Sequence, residues 1–304
     1  MIEKVTWKEK TGNQRDWHWR GWKIRYSYHR VNPENKANDI PIILLHGFGA
    51  SIGHWRHNVP VLKENHTVYA LDLLGFGASR KAYTNYDVTV WSELVYDFWR
   101  TFINVPVIII GNSIGSLIAL YGTAQHPEMV HRLVMLSLPD LSARQKMLPK
   151  FVLPVVKTIE SIVASPLLIR LIFLVARQPK VIRKWLGVAY GDKTAVDDEL
   201  VDIIATPPQD KGAARTLIAL TKSVNQSDFS LSAKDLLRQV NIPMLLLWGK
   251  GDRFIPPTIA PQLASVNPLI TLNLLDGLGH CLHDEKPDLF HRILFDWLKT
   301  IHKK

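Results

Sequence analysis

A serine flanked by glycines is the residue of this sequence best suited to covalent chemistry. Residues 111–116 read GNSIGS, so Ser113 is the centre of a G-x-S-x-G pattern. An apolar run precedes it and a helical pattern follows, and such a strand–turn–helix context exposes the serine hydroxyl at a sharp turn. The turn also directs the N–H of Ile114 at a developing oxyanion, aided by the helix dipole. The pattern therefore predicts that Ser113 is a nucleophile.

A serine hydroxyl needs a general base, and 12 histidines are available. His280 ends the sequence DGLGH directly after the last apolar run. A glycine-rich turn at this point can place the imidazole over the edge of the sheet. We therefore assign His280 as the base, and we expect its rival His283 to be a surface or capping residue. Asp252, in the sequence GKGDR after another run, is the expected acid. The order Ser, Asp, His is that of α/β-hydrolase triads.

Several further side chains compete for these roles. Asp140 follows the run over residues 133–136 and is the main alternative to Asp252 as the acid. The remaining candidates are expected to bond backbone groups and to hold loops, turns or helix ends: His46, Asp72, Asp276 and Asp284.

The loop HGFGAS over residues 46–51 is suited to supply a second oxyanion donor. We expect the N–H of Phe48 to be that donor, beside the N–H of Ile114, and the Phe48 ring to line the substrate pocket. We assign Asn112, Trp55 and Phe254 to the same pocket. A serine, a histidine and an aspartate work without a metal or cofactor, so we expect none.

The elements that position these residues are short apolar runs at residues 41–45, 68–71, 105–110, 133–136, 244–248 and 271–275. Runs that are apolar on both faces are typical of buried parallel strands. Helical patterns over 90–102, 116–126 and 287–301 alternate with them, and 17–31 alternates like a hairpin around Gly21. The sequence therefore predicts an α/β fold with a mostly parallel sheet, whose ligands bind beyond the carboxyl ends of the strands.

The alternation stops between about 139 and 234, where the pattern is helical and rich in proline. We interpret 139–234 as a helical cap inserted between two parts of the core, 1–138 and 235–304. Its segment 141–186 holds nine basic residues and one acid, out of a net charge of +10 for the chain. Because basic and apolar residues interleave there, the segment is either a solvated helical face or a contact with an anionic membrane. Nucleic-acid binding is not expected, since none of the usual motifs is present.

Composition excludes other classes of protein. Hydrophobic residues make up 47% of the 304 residues and charged residues 21%, which disfavours disorder. The single cysteine, Cys281, excludes a disulfide framework. The first residues have no apolar leader and no run is long enough for a membrane span, so we expect a cytoplasmic protein that is not secreted.

Five motifs, HGFGAS, DLLGFGAS, GNSIGS, WGKGDRFIPP and DGLGHCLHDEKP, resemble those of the α/β-hydrolase superfamily in order and spacing, over roughly 40–137 and 235–302. The resemblance implies the α/β-hydrolase fold with a cap. Within the superfamily, the motifs look most like the cyanobacterial and plastid hydrolases that include pheophytinase and chlorophyll dephytylase. That resemblance implies cleavage of a phytyl ester of a chlorophyll pigment. If segment 141–186 contacts a membrane, we expect peripheral contact with a membrane of the thylakoid type.

The expected function is hydrolysis of a carboxylic ester through an acyl-enzyme. The apolar residues of the cap either bind a long hydrophobic group of the substrate or are ordinary helix-packing residues. They are Phe151, Val152, Leu153, Leu167, Leu168, Ile172, Phe173, Leu174 and Trp185. Two alternatives use the same residues. One is carbon–carbon bond hydrolysis or haloperoxidase-type chemistry, and the other is a ligand-binding receptor on a hydrolase scaffold.

Overall fold

The computed structural model describes residues 6–31, 34, 40–140, 166–224, 226 and 228–300. Its strands are β1 (Asn13–Trp19), β2 (Trp22–His29), β3 (Ile42–Leu45), β4 (Val68–Leu71), β5 (Val107–Asn112), β6 (Val130–Leu136), β7 (Met244–Gly249) and β8 (Ile270–Leu275). They form one sheet in the order β1-β2-β4-β3-β5-β6-β7-β8. β1 and β2 pair antiparallel, as do β2 and β4, and every other pair is parallel. The predicted mostly parallel sheet is confirmed.

The helices are α1 (Trp7–Lys10), α2 (Val59–Leu62), α3 (Val88–Phe102), α4 (Ile114–Gln125), α5 (Pro166–Ala176), α6 (Pro179–Ala189), α7 (Asp198–Ala205), α8 (Ala213–Val224), α9 (Ala233–Gln239), α10 (Ala260–Ala264), α11 (Leu282–Glu285) and α12 (Pro287–Thr300). α5 to α8 lie between β6 and β7, so the predicted helical insertion is confirmed. The exact limits of the cap stay a prediction, because residues 141–165 lie outside the described part of the chain.

The central strands are apolar on both faces because each face packs on helices. Every residue of β3, β5 and β7 is buried. Successive side chains of a strand point to opposite faces, so Ile43 and Leu45 join the core that contains residues of α3 and α4, whereas Ile42 and Leu44 join the core that contains residues of α12. The two cores fix the sheet between its helical layers, and with it the positions of the loops at the strand ends.

Element boundaries differ from expectation where a local rule competes with the apolar pattern. β5 begins at Val107 instead of residue 105, because Val105 is exposed and Pro106 has no N–H for the strand ladder. α3 begins two residues earlier than its pattern, because the carboxylate of Asp87 accepts the N–H of Val90 and caps the helix. Among the described residues, no helix is both long enough and apolar enough to cross a membrane.

Candidate active site

Ser113 lies on a sharp turn between β5 and α4. Its φ of 55° and ψ of −120° are rare for a residue with a side chain, and the strain is held by the surrounding backbone. A Cβ on Gly115 would lie 2.3 Å from the carbonyl oxygen of Leu45, and one on Gly111 would lie 2.4 Å from the backbone of Gly115. Only glycine fits at both positions, so the start of α4 packs directly on the end of β3.

The loop after β3 lies against the same turn. A Cβ on Gly47 would lie 2.9 Å from Oδ1 of Asn112 and 3.4 Å from Cβ of Ser113. Among the residues that the structure describes, no acceptor contacts the backbone N–H of Phe48 or of Ile114. Both donors are therefore available to a bound oxygen, as the predicted oxyanion hole requires.

His46 holds this loop through backbone contacts, as expected. Its Nε2 accepts the N–H of Leu73 at 3.1 Å, so Nδ1 carries the proton and donates to the carbonyl of Gly47 at 2.7 Å. Burial lowers the pKa of the His46 imidazole to about 4, so the ring is neutral at pH 7. The neutral ring ties the loop after β3 to the loop after β4.

Asp72 likewise holds a loop rather than facing the reaction centre. Its carboxylate accepts the N–H groups of Ile52 and Ala78, each at 2.7 Å. Burial raises the pKa of the Asp72 carboxyl to about 6, although these hydrogen bonds favour the ionised form. These contacts agree with the loop-holding role expected for Asp72.

Asp252 and His280 follow β7 and β8, and they are hydrogen-bonded to each other. Oδ2 of Asp252 lies 2.7 Å from Nδ1 of His280, and Oδ1 accepts the N–H groups of Phe254 and Ile255 at 2.8 and 2.9 Å. Burial opposes ionisation of Asp252, but the hydrogen bond and charge of His280 with the backbone donors outweigh it, so the pKa of the carboxyl is below its ordinary value. An ionised Asp252 keeps the proton on Nδ1 and leaves Nε2 to accept one.

The main alternative acid, Asp140, is engaged elsewhere. Its Oδ1 accepts the N–H of Ala233 at 3.4 Å, at the start of α9. Asp276 is exposed and forms an ion pair with a lysine. The carboxylate that contacts His280 therefore belongs to Asp252, and its catalytic role stays a prediction.

Two residues of α11 are placed differently from expectation. His283 is fully buried, with its ring against those of His54 and Trp55, so it is neither a surface nor a capping residue. Asp284 is also buried and forms an ion pair with Arg56 at 2.6 Å. The physical reason is that the chain turns inward after His280, and the apolar sequence pattern does not reveal this turn.

The four residues assigned to the substrate pocket divide into two pairs. Phe48 and Phe254 are 57% and 46% exposed, and the Phe254 ring lies edge-on to His280 with centroids 5.3 Å apart. The side chains of Asn112 and Trp55 are buried, and the assignment of these two residues to the pocket stays a prediction. The amide of Asn112 donates to the backbone carbonyl of His280 at 3.1 Å, so it links the loop of the predicted nucleophile to that of the predicted base.

An apolar cavity of about 390 Å³ opens beside Ser113. Its wall includes Phe48, Trp91, Ile114, Leu220, Phe229 and Ile255. The cap supplies Leu220, Thr221 and Val224 from α8. The expected apolar residues 151–153 lie outside the described part of the chain. No group of three or more histidine, cysteine or acidic residues that could hold a metal ion occurs among the described residues.

A parallel sheet with a helical insertion and a serine elbow defines the α/β-hydrolase class. The chain matches the alpha/beta hydrolase fold family over residues 40–287 and belongs to that family. It is 27% identical to the uncharacterized hydrolase YugF of Bacillus subtilis over 90% of this chain and 94% of that protein. A solved structure of a bacterial membrane phospholipase A shares the fold, with a TM-score of 0.76 and 23% identity over 98% of this chain and 89% of that chain.

Relatives of different chemistry are about equally distant. A 2-hydroxy-6-oxo-6-(2'-aminophenyl)hexa-2,4-dienoic acid hydrolase of Metapseudomonas resinovorans is 24% identical over 85% of this chain and 83% of its own length. Chloroplastic pheophytinase of Arabidopsis thaliana is 22% identical over 92% of this chain and 65% of its own length. The expected special likeness to pheophytinase is thus corrected to membership of the wider superfamily.

Proposed function

We propose that the protein is a serine hydrolase that cleaves carboxylic esters through an acyl-enzyme. Ser113 is the nucleophile, His280 the general base and Asp252 the acid that orients it. The N–H groups of Phe48 and Ile114 form the oxyanion hole.

One observation carries the proposal: Ser113 lies on a strained turn against the loop of Gly47, and the N–H groups of Phe48 and Ile114 in these two loops have no acceptor among the described residues. Such an arrangement favours an oxygen that becomes negative during the reaction, because fixed donors need no reorganisation when the charge develops. The hydrogen bond between Asp252 and His280 supports the proposal independently, since it selects the imidazole tautomer that a base needs.

In the first step, Nε2 of His280 takes the proton of Ser113 as its oxygen attacks the ester carbonyl. The tetrahedral oxyanion accepts the two backbone N–H groups. The alcohol then leaves with the proton from His280 as the carbon–oxygen bond breaks. Water, deprotonated by His280, attacks the acyl-enzyme and releases the carboxylic acid, which restores Ser113.

The cavity beside Ser113 supports a substrate with an apolar group. Among the described residues that line it, none is a lysine, arginine, aspartate or glutamate, so these residues offer no partner to a charged substrate group that loses its hydration. Prenyl, phytyl pigment and lipid-like esters have the required chemistry. We therefore propose an uncharged, largely hydrocarbon substituent next to the scissile carbonyl.

Labelling with a fluorophosphonate tests the nucleophile, followed by rates on p-nitrophenyl, prenyl and pigment esters. We expect wild-type protein to be labelled and to turn over esters repeatedly, and Ser113→Ala to lose labelling and nearly all turnover. A Ser113→Ala variant with wild-type esterase rates would contradict the proposal.

Carbon–carbon bond hydrolysis is the second candidate, because one relative is a dienoic acid hydrolase and the same three residues serve that reaction. Turnover of a dienoic acid substrate without turnover of any ester would favour it. The receptor alternative predicts one slow turnover with a generic ester, after which the product stays bound.

We also propose that the basic cap contacts an anionic membrane. The described part of segment 141–186 exposes several large apolar side chains: Leu167, Leu171, Ile172, Leu174, Val175 and Trp185. Exposed Arg170, Lys180 and Lys184 lie among them in sequence, a composition that favours an anionic interface. We expect flotation with liposomes of anionic lipid at low salt and none with zwitterionic ones. Absence of flotation at low salt would refute this contact.

A further inference from the structure

The backbone of the predicted base is hydrogen-bonded to the cap. The N–H of His280 donates to the carbonyl of Ala189, the last residue of α6, at 2.7 Å. A Cβ on the preceding Gly279 would lie 2.2 Å from the same carbonyl oxygen. Since the two backbones touch, a displacement of this end of α6 would move His280 as well.

The next cap residue, Tyr190, is buried, and its hydroxyl contacts side chains of the core. Its hydroxyl donates to Oδ2 of Asp284 at 2.6 Å, and Nε2 of His54 lies 2.9 Å from it. The other oxygen of Asp284 accepts from Arg56 at 2.6 Å. Because buried polar groups are costly when they lose a partner, this set of contacts has few alternative arrangements.

A second contact joins the same two segments. The carboxylate of Glu285 accepts the N–H of Gly279, next to the predicted base, and the N–H groups of Gly191 and Asp192 in the cap. The Tyr190 hydroxyl and the Glu285 carboxylate therefore both hold the cap residues that directly follow the Ala189 carbonyl. The carbonyl of His280 accepts hydrogen bonds from the core, from the amide of Asn112 at 3.1 Å and the hydroxyl of Ser137 at 3.5 Å.

We propose that Tyr190 is a positioning residue: its hydroxyl holds the cap segment 189–192 where the Ala189 carbonyl fixes the backbone of His280. The inference rests on the proposed role of His280 as the base. It implies that this end of α6 stays with the core when other parts of the cap admit substrate.

The test compares Tyr190→Phe with Tyr86→Phe. The control loses a hydroxyl that is equally buried and donates to the carbonyl of Ala82 at 2.8 Å, without contacting the loop of His280. We expect kcat per fluorophosphonate-titrated site to fall roughly ten- to hundredfold in Tyr190→Phe, with KM within about twofold, because a small displacement of the base costs this much. Tyr86→Phe should keep kcat per titrated site even where its melting temperature falls.

A second measurement needs no activity. Selective ¹⁵N-histidine labelling gives 12 backbone amides, and the His280 signal is assigned through its loss in His280→Gln. We expect the His280 amide to exchange with solvent at least about tenfold faster in Tyr190→Phe than in wild type or Tyr86→Phe, as the acceptor moves away. If Tyr190→Phe does not fold, Glu285→Gln serves as a second variant, because it weakens the hydrogen bonds between Glu285 and the same cap segment. It should also lower kcat and speed up exchange of the His280 amide.

Unchanged kcat per titrated site together with unchanged His280 exchange would overturn the proposal. A lower kcat with normal His280 exchange would also overturn it, because Tyr190 would then act by another route. If wild-type protein neither labels nor turns over esters, the proposed function fails, and the amide exchange still decides whether Tyr190 holds His280.

Discussion

Asp252→Asn distinguishes a catalytic acid from a structural carboxylate, because the contacts of Asp252 dictate how an amide would sit. Oδ1 of Asp252 accepts two backbone N–H groups, and Oδ2 faces Nδ1 of His280. An asparagine has one carbonyl oxygen, and it stays with the two N–H groups because leaving each unpaired costs about 1–3 kcal/mol. Its NH₂ group then donates to Nδ1 of His280, which moves the imidazole proton to Nε2 and removes the base.

The expected loss is large because the geometry is kept while the tautomer is wrong. In serine hydrolase triads this exchange lowers kcat by about 10⁴, and we expect a similar factor here. At about 1.36 kcal/mol for each tenfold change, this factor corresponds to about 5 kcal/mol in the barrier. The assay is the steady-state rate on a p-nitrophenyl ester at pH 7, normalised to the amount of folded protein from its melting curve.

Asp140→Asn is the matched control, since Asp140 also follows a strand but contacts the N–H of Ala233. It should keep kcat within about threefold, because an asparagine oxygen can accept the same hydrogen bond. The reasoning is refuted if Asp252→Asn keeps more than about a tenth of wild-type kcat. The opposite outcome for the two variants would assign the acid to Asp140. Nitrogen NMR of labelled His280 should show Nε2 protonated in Asp252→Asn.

Three further perturbations test the loop, the cavity and the buried histidines. Gly47→Ala places a Cβ 2.9 Å from Oδ1 of Asn112, so it should displace the Phe48 N–H and lower kcat by roughly 10²; an unchanged kcat would count against Phe48 as a donor. Val224→Phe narrows the cavity, so kcat/KM should fall for long-chain esters and not for acetate esters, and a uniform loss would argue against a chain-binding cavity. The lowered pKa of His46, about 4, means that its neutral state stabilises the fold above pH 6.5 and that this contribution is lost as pH falls towards 4. The contribution that is lost amounts to about 3 kcal/mol. Between pH 6.5 and 4, the free energy of unfolding in thermal melts should therefore fall by up to that much more for wild type than for His46→Gln. Parallel pH curves of the two proteins would contradict this.

The parallel sheet and the three predicted reactive residues could be inferred from the sequence, because each is marked by a short local pattern. A buried strand is a short apolar run, and the turn after it carries the polar residue and its glycines within a few positions. The sheet topology then brings the ends of β5, β7 and β8 to one edge without further information. The sequence therefore predicts that the loops with Ser113, Asp252 and His280 lie at one edge of the sheet, although up to 167 positions separate these residues.

The contacts that hold these residues in place could not be predicted from the sequence, because they join segments that are distant along the chain. Trp55 and His283 follow glycine-containing turns, and nothing in their own neighbourhood in the sequence shows that their rings contact each other in the interior. Arg56, Asp284 and Tyr190 come from three segments and meet only after the cap has packed on the core.

The same distinction explains why the reaction is better defined than its substrate. The proposed oxyanion donors are backbone N–H groups of two tight loops, and their identity follows from glycine positions such as Gly47 and Gly115. The cavity proposed for the substrate group is instead lined by residues such as Leu220 and Val224 of α8, whose apolar character alone does not separate a prenyl chain from an acyl chain. A hydrophobic pocket distinguishes one methylene more or less by only about 1–3 kcal/mol. Discrimination among apolar esters must therefore come from the shape of the cavity, which α8 controls, and changes of kcat/KM with chain length in variants of α8 measure that shape directly.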